Sequence, residues 1–245
     1  MPGAEWRERL AAARLYLLFC PRCAAGDAAA DRELERLESA LPFVDLLQVR
    51  VKPADRDLDP RTAPGATGAA ALAVTEARAL FDWTVRVLGL TRPTGVPVLV
   101  NDRPDVARSL VERGCAGVHV VQDDCPPVLA RALLGPHALI GLSTHDARQV
   151  ARALDEPVDY LGFGPVHATA TKGYGRGLGS EAAWIADRAA HVPLFPLGGI
   201  DATNAGELAE VGRAAVSQEV IDAADPGRAA PELHAALAPD ERGRA

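Results

Sequence analysis

Lysine is almost missing from this chain: of its 26 basic residues only Lys52 and Lys172 are Lys, and all the others are Arg. Arg serves most solvated cationic positions, but a compact, rotatable ammonium and a planar guanidinium fork are not interchangeable around a pyrophosphate. The two lysines are therefore candidates for anion-binding positions. An excess of positive charge is missing as well. With 33 acids against 26 bases the formal net charge is −7, which argues against a general nucleic-acid or anionic-membrane surface. No apolar run approaches the roughly 20 residues of a membrane-spanning helix, and Met1 to Arg14 carries charge and Ala in place of a secretory leader. A cytoplasmic protein is the expectation. Cysteine is sparse: Cys20, Cys23, Cys115 and Cys125 make no disulfide framework, and Cys20-Pro-Arg-Cys23 lacks the second CxxC of a zinc site. Also absent are a Ser/His/Asp triad, an H-E-x-x-H motif and a Walker loop.

What is present is alternation. Short β-rich apolar runs fall at Leu15–Phe19, Asp45–Val51, Val96–Val100, Gly117–Val121, Ala138–Leu142, Val158–Phe163, Val192–Leu197 and Arg213–Val216. Stretches of helical composition follow them at Asp31–Ala40, Ala69–Val87, Pro104–Arg113, Pro127–Leu134, Asp146–Leu154, Ser180–Ala190, Thr203–Val211 and Pro226–Leu237. This is the pattern of a parallel sheet with crossover helices, and its length, 245 residues, suits one α/β domain, a single (β/α)8 TIM barrel. The expected organisation is an N-terminal extension over 1–14, the barrel over 15–238 and a tail over 239–245. Pro104 and Pro127 mark helix starts, Gly114 a helix end, and Asp57–Gly68 a surface loop.

Chemistry in such a barrel gathers at the C-terminal ends of the strands. Strand two ends in Gln48-Val49-Arg50-Val51-Lys52, whose period of two puts the polar side chains on the barrel face and the valines on the helices. Strand three ends in Asn101-Asp102-Arg103, strand four in Gln122-Asp123-Asp124 and strand five in Ser143-Thr144-His145. Asp102 and Asp124, on neighbouring strands, are the natural pair for a hard divalent cation, because Mg²⁺ takes one or two carboxylates plus water and phosphate oxygens. The loop Gly164–Gly173 offers hydroxyls and Lys172 to an anion, and Gly198-Gly199-Ile200 ends strand seven, where barrels commonly bind phosphate. Among six His, His145 and His167 are best placed for chemistry, whereas His119 reads as a satisfied barrel-interior His.

These motifs, with Gly117-Val118-His119, Ile140-Gly141-Leu142-Ser143, Gly164-Pro165 and Thr169-Ala170-Thr171-Lys172, occur in the order and spacing of thiamine phosphate synthases, which the chain resembles from Leu15 to about Pro226. The resemblance implies a transferase, of the alkyl-transferring class. It joins hydroxymethylpyrimidine pyrophosphate to thiazole phosphate, with Mg²⁺, by a dissociative route through a pyrimidine-methyl cation. It assigns Gln48, Arg50, Lys52, Asn101, Ser143 and Lys172 to the pyrimidine pyrophosphate, with Ser143 and Lys172 as catalytic residues. Asp102 and Asp124 fall to the metal, and Thr169, Thr171 and Gly199 to the thiazole phosphate. The partners are small molecules, with neither nucleic acid nor membrane, and a homo-oligomer is compatible with it.

The chain departs from the family pattern after strand eight, where Val216-Ser217-Gln218-Glu219-Val220 stands in place of an apolar-Ser pair. Spacing puts that pair on Glu219-Val220, and a carboxylate beside a phosphate is unfavourable; a shift of two or three residues would let Ser217 serve. Ala168 replaces the usual Pro, and Arg176 is a candidate for added positive charge on the thiazole phosphate side. The alternatives are a thiazole tautomerase with His145 as proton shuttle, which would need no pyrophosphate site, and a non-catalytic binder of thiamine precursors.

Overall fold

The structure is a computed structural model that describes residues 2–51, 69–168 and 177–238. Eight parallel strands are hydrogen-bonded in the order β7-β6-β5-β4-β3-β2-β1-β8. They are β1 Leu15–Phe19, β2 Leu46–Val49, β3 Val98–Asn101, β4 Cys115–Val120, β5 Leu139–Thr144, β6 Tyr160–Phe163, β7 Leu194–Pro196 and β8 Ala214–Val216. A parallel bridge from Leu197 to Ala215 brings the end of β7 onto β8, so the sheet closes. The expected barrel is what forms.

Strand alternation sorts the side chains into two cores. Val49, Val51, Val98, Val100, Val118, Val120, Ile140, Leu142, Leu161 and Phe163 point outward and pack with helix residues such as Leu37, Trp83, Leu110 and Val150. Tyr16, Leu46, Leu99, Leu139, Tyr160, Phe195 and Ala215 point inward and fill the barrel. Both faces of each strand are thus buried, as a parallel barrel requires. The outer helices are α2 Ala29–Ala40, α3 Ala69–Thr91, α4 Pro104–Leu110, α5 Pro127–Leu134, α6 Ala147–Ala153, α7 Ser180–Ala189, the short α8 Gln218–Ile221 and α9 Pro226–Ala236. Pro104 and Pro127 are the first residues of α4 and α5, where a missing N–H costs nothing, and Gly114 sits at φ +101 after the turn that ends α4. Among the described residues no helix is long and apolar enough to cross a membrane.

Two departures from the sequence reading have physical causes. The stretch Thr203–Val211 is not a helix: only a 3-10 turn forms, Ala205–Leu208. Asp201 accepts from Thr203 N and Thr203 Oγ1, Asn204 Oδ1 accepts from Asp201 N, and Asn204 Nδ2 donates to Gly199 O. Side-chain bonds of this kind compete with the helical ladder, and Gly206 weakens it further. At the other end, Pro2–Ala12 forms a helix, α1, that plugs the bottom of the barrel. Leu10 and Ala13 are buried in the inner core with Trp6 packed on it. Arg7 Nε donates to Asp159 Oδ1 at 2.8 Å, while Asp159 Oδ2 accepts from Arg131 at 2.6 Å and from Ile140 N at 2.8 Å. One carboxylate therefore ties α1, α5 and β5 together. The tail over 239–245 and the surface loop Asp57–Gly68 lie outside the described residues.

Candidate active site

A cavity of about 160 Å³ opens at the C-terminal end of the barrel, where the strand ends converge. Its wall includes Gln48 and Arg50 from β2 and its end, Asn101 and Asp102 from β3, Ser143 and His145 from β5, and Gly198 and Gly199 after β7. Ser217, Gln218 and Glu219 complete it at β8. The period of two places Gln48 and Arg50 on this face while Val49 and Val51 join the outer core, as their sequence positions require.

Each of these side chains is held by its strand. Gln48 is 1% exposed, and its Nε2 donates to Tyr16 Oη while its Oε1 is buried without a hydrogen-bond partner. Arg50 N donates to Phe19 O at 2.9 Å, which registers the guanidinium beside β1, and Nη1 lies 3.8 Å from Cys20 Sγ. Asp102 N donates to His119 O at 2.8 Å, and Asp102 has φ +59, the one left-handed non-glycine among the described residues. Asp and Asn adopt this region more readily than other non-glycine residues, which suits the turn that ends β3 to an Asp. Ser143 Oγ lies 2.9 Å from His119 Nε2, and Ser143 O accepts from Gln122 Nε2 at 2.7 Å. His145 Nδ1 donates to Gly164 O at 2.5 Å.

The glycines after β7 are required by the backbone. Gly198 and Gly199 have φ +96 and +62, and a Cβ on Gly199 would come within 2.5 Å of Ala168 O. The chain after β7 thereby runs against the chain after β6 and leaves backbone groups at the cavity wall.

Of the residues singled out from sequence, Gln48, Arg50, Asn101, Asp102, Ser143 and Gly199 line this one cavity. Lys52, Thr169, Thr171, Lys172 and Arg176 lie outside the described residues. Asp124 is exposed in the turn after β4, its N–H donating to Val121 O at 3.2 Å, and it is not in the cavity wall. Arg103 turns away to Asp105, whose carboxyl it holds below the usual range through a hydrogen bond. His167 is not in the wall either; its Nε2 lies 3.9 Å from Glu207. His119 is the bonded barrel-interior His that its position in β4 implies, with both ring nitrogens engaged. Sequence reasoning missed Tyr16 and Tyr160, which lie inside the barrel, Tyr16 in the cavity floor and Tyr160 beneath it. Their signal was a hydroxyl-bearing aromatic at an inward position of a strand with no solvent to meet it. Burial pushes both phenols above their usual range. Cys20, at the end of β1, is also in the wall, 3.5 Å from Ser217 Oγ, whereas burial raises the thiol of Cys23 to about 11.

The described wall offers one guanidinium, amides and a hydroxyl on the β2, β3 and β5 side, and glycine backbone with a hydroxyl on the β7 and β8 side, together with the carboxylates of Asp102 and Glu219. Comparison with known proteins gives the family. Residues 16–220 match the family described as thiamine monophosphate synthase. The thiamine-phosphate synthase of Gloeobacter violaceus is 36% identical over 229 residues, which are 92% of this chain and 58% of that protein. The thiamine-phosphate synthase of Thermus thermophilus is 36% identical over 228 residues, 91% of this chain and 97% of that protein. Thiamine phosphate pyrophosphorylase from Pyrococcus furiosus shares the fold with a TM-score of 0.68 at 23% identity, over 94% of this chain and 96% of that one. With the family match spanning nearly the whole barrel, the chain belongs to the thiamine monophosphate synthase family.

Proposed function

We propose that the barrel mouth condenses hydroxymethylpyrimidine pyrophosphate with thiazole phosphate to give thiamine phosphate and pyrophosphate. The observation that carries this reading is convergence: Gln48, Arg50, Asn101, Asp102 and Ser143, from the ends of β2, β3 and β5, meet Gly199 and Ser217 across one cavity. The orphaned Oε1 of Gln48 is a buried acceptor, and the exocyclic amine of the pyrimidine is a donor that satisfies it. Arg50 meets the pyrophosphate as a bidentate fork, and Asn101 and Ser143 donate to its remaining oxygens. Lys52 and Lys172 add point charges from the two flanking segments. Thr169, Thr171 and Gly199 receive the thiazole phosphate, and Ser217 takes the place of the family's serine there. Glu219 also lines the cavity, at the start of α8, but it is exposed, so water screens its carboxylate from the phosphate.

Asp102, with its Oδ1 buried at the cavity wall, offers a hard oxygen ligand that suits Mg²⁺, and Asp124, exposed in the turn after β4 and outside that wall, is the second carboxylate proposed for it. When bound there, Mg²⁺ supplies positive charge to the departing pyrophosphate. The protein's own part is to hold the pyrophosphate so that charge is stabilised as the bond to the pyrimidine methylene breaks. It also aligns the thiazole nitrogen with the cation that results. A cytoplasmic location and small-molecule partners belong to the same reading.

Incubation with both phosphorylated substrates, with and without Mg²⁺, tests it. Thiamine phosphate formed only with Mg²⁺ supports the synthase. Isomerisation of the thiazole alone would transfer the site to the tautomerase reading with His145 as proton shuttle, and binding without turnover to the precursor-binding reading.

A further inference from the structure

Beneath the cavity a chain of hydrogen bonds crosses the barrel from β2 to β5. Gln48 Nε2 meets Tyr16 Oη, Tyr16 Oη lies 2.9 Å from Tyr160 Oη, Tyr160 Oη lies 2.8 Å from His119 Nδ1, and His119 Nε2 lies 2.9 Å from Ser143 Oγ. Exposures of 1% for Gln48, 2% for Tyr16, 0% for Tyr160, 6% for His119 and 8% for Ser143 leave water no place between the links. The links are direct contacts of 2.8–2.9 Å, so the hydrogens between them are shared along the chain. With both phenols held protonated by burial, each has one hydrogen to give and can accept at its oxygen.

With Tyr160 Oη as the acceptor that the chain offers the Tyr16 hydrogen, the direction of every link follows from the first. Because the Gln48 amide N–H donates to Tyr16, the Tyr16 O–H donates to Tyr160 and the Tyr160 O–H donates to His119 Nδ1. His119 carries its proton on Nε2 and donates it to Ser143 Oγ, and the Ser143 O–H is left to point into the cavity. The same order leaves Gln48 Oε1 as a buried acceptor in the cavity wall. Reversing the Gln48 amide would reverse all the links at once, presenting a donor at Gln48 and a lone pair at Ser143.

We infer that Tyr16, Tyr160 and His119 are positioning residues that couple the two ends of the substrate. A ligand N–H accepted by Gln48 sets the chain in the direction that makes Ser143 a donor to the anion. The inference rests on the proposed function only for the ligand's identity, an aminopyrimidine carrying a pyrophosphate. The rings can keep their places without the central hydroxyl, because Tyr160 packs edge-on against Tyr16 and Phe195 with centroids 5.7 Å apart in each pair.

Calorimetry with inorganic pyrophosphate and Mg²⁺, with and without saturating 4-amino-5-hydroxymethyl-2-methylpyrimidine, reads the coupling directly. In the wild type the pyrimidine tightens pyrophosphate binding by about fivefold or more, the lower end of ordinary coupling between sites. In Tyr160→Phe the tightening falls to within about twofold, and Tyr16→Phe, which cuts the chain nearer Gln48, behaves alike. Coupling retained in both variants, or absent from the wild type, overturns the inference. Nitrogen NMR of wild-type His119 with the pyrimidine bound is a second readout that needs no variant: the Nε2–H tautomer is expected, and the Nδ1–H tautomer overturns it. Thiamine phosphate formation by the same wild-type preparation separates the two claims. Turnover with uncoupled binding sinks the inference alone, and coupling without turnover sinks the assigned reaction alone.

Discussion

Gly141 in β5 lies directly under the ring of Tyr160, and a methyl group there has nowhere to go. An ideal Cβ on Gly141 would lie 2.0 Å from Tyr160 Cζ, 2.3 Å from its Oη and 2.4 Å from Cε1. The ring cannot swing aside cheaply: Tyr160 is fully buried, with Tyr16, Phe195 and His119 around it at centroid distances of 5.7, 5.7 and 5.4 Å. Overpacking of this kind costs about 1–3 kcal/mol. Displacing the phenol also breaks its bonds to His119 and Tyr16, each worth about 0.5–1.5 kcal/mol. Gly141→Ala is therefore expected to lose about 3 kcal/mol, read as a fall in the urea midpoint at unchanged slope. The backbone at Gly141 is ordinary for any residue, so the loss comes from the ring contact. A double-mutant cycle with Tyr160→Leu isolates that contact: in the leucine background the alanine costs less than about 1 kcal/mol, a coupling well above the additivity error. A loss under about 0.5 kcal/mol for the single variant, or additive costs in the cycle, would refute the packing argument.

Three further outcomes are expected. Asp102→Asn keeps a residue type that tolerates the φ of +59, so stability is retained while Mg²⁺-dependent turnover falls about 100-fold or more, measured in the steady state. Tyr16 and Tyr160 have folded-state values raised above the ordinary 10.0, so their stabilisation is complete below pH 10 and is lost as pH rises towards the folded values. Each phenol then contributes a slope of about 1.4 kcal/mol per pH unit, and Tyr160→Phe should remove its share in denaturation curves above pH 10. Asp159→Ala removes the acceptor shared by Arg131, Arg7 and the Ile140 N–H, and although both arginines keep backbone carbonyl acceptors the loss should cost about 1–3 kcal/mol by thermal denaturation, with Asp159→Asn costing less.

The barrel was legible because its punctuation is physical. β1 runs over the residues its apolar run marks, and Pro104, Pro127 and Gly114 stand at helix ends for reasons of backbone chemistry. The anion cluster was legible because Gln48 and Arg50 alternate with valines in a strand that has no solvated edge. The Tyr16–Tyr160 link was not, because two aromatic residues 144 positions apart meet only once the barrel closes. Gly141 stood within a recognised motif, but its reason, the ring of a residue 19 positions later, exists only once β5 and β6 pair. The missing helix between β7 and β8 was misread because periodicity ignores the side-chain bonds of Asp201 and Asn204 that hold the turn.

The central claim is a group transfer in which pyrophosphate leaves and thiamine phosphate forms at one cavity. A single-turnover experiment with enzyme in excess over hydroxymethylpyrimidine pyrophosphate, at saturating thiazole phosphate and Mg²⁺, counts both products from the same mixture. The account predicts pyrophosphate and thiamine phosphate in equal amounts, with both lost when Mg²⁺ is chelated and both slowed in Arg50→Ala. Pyrophosphate released without thiamine phosphate, or neither product formed while the substrates bind, would contradict it.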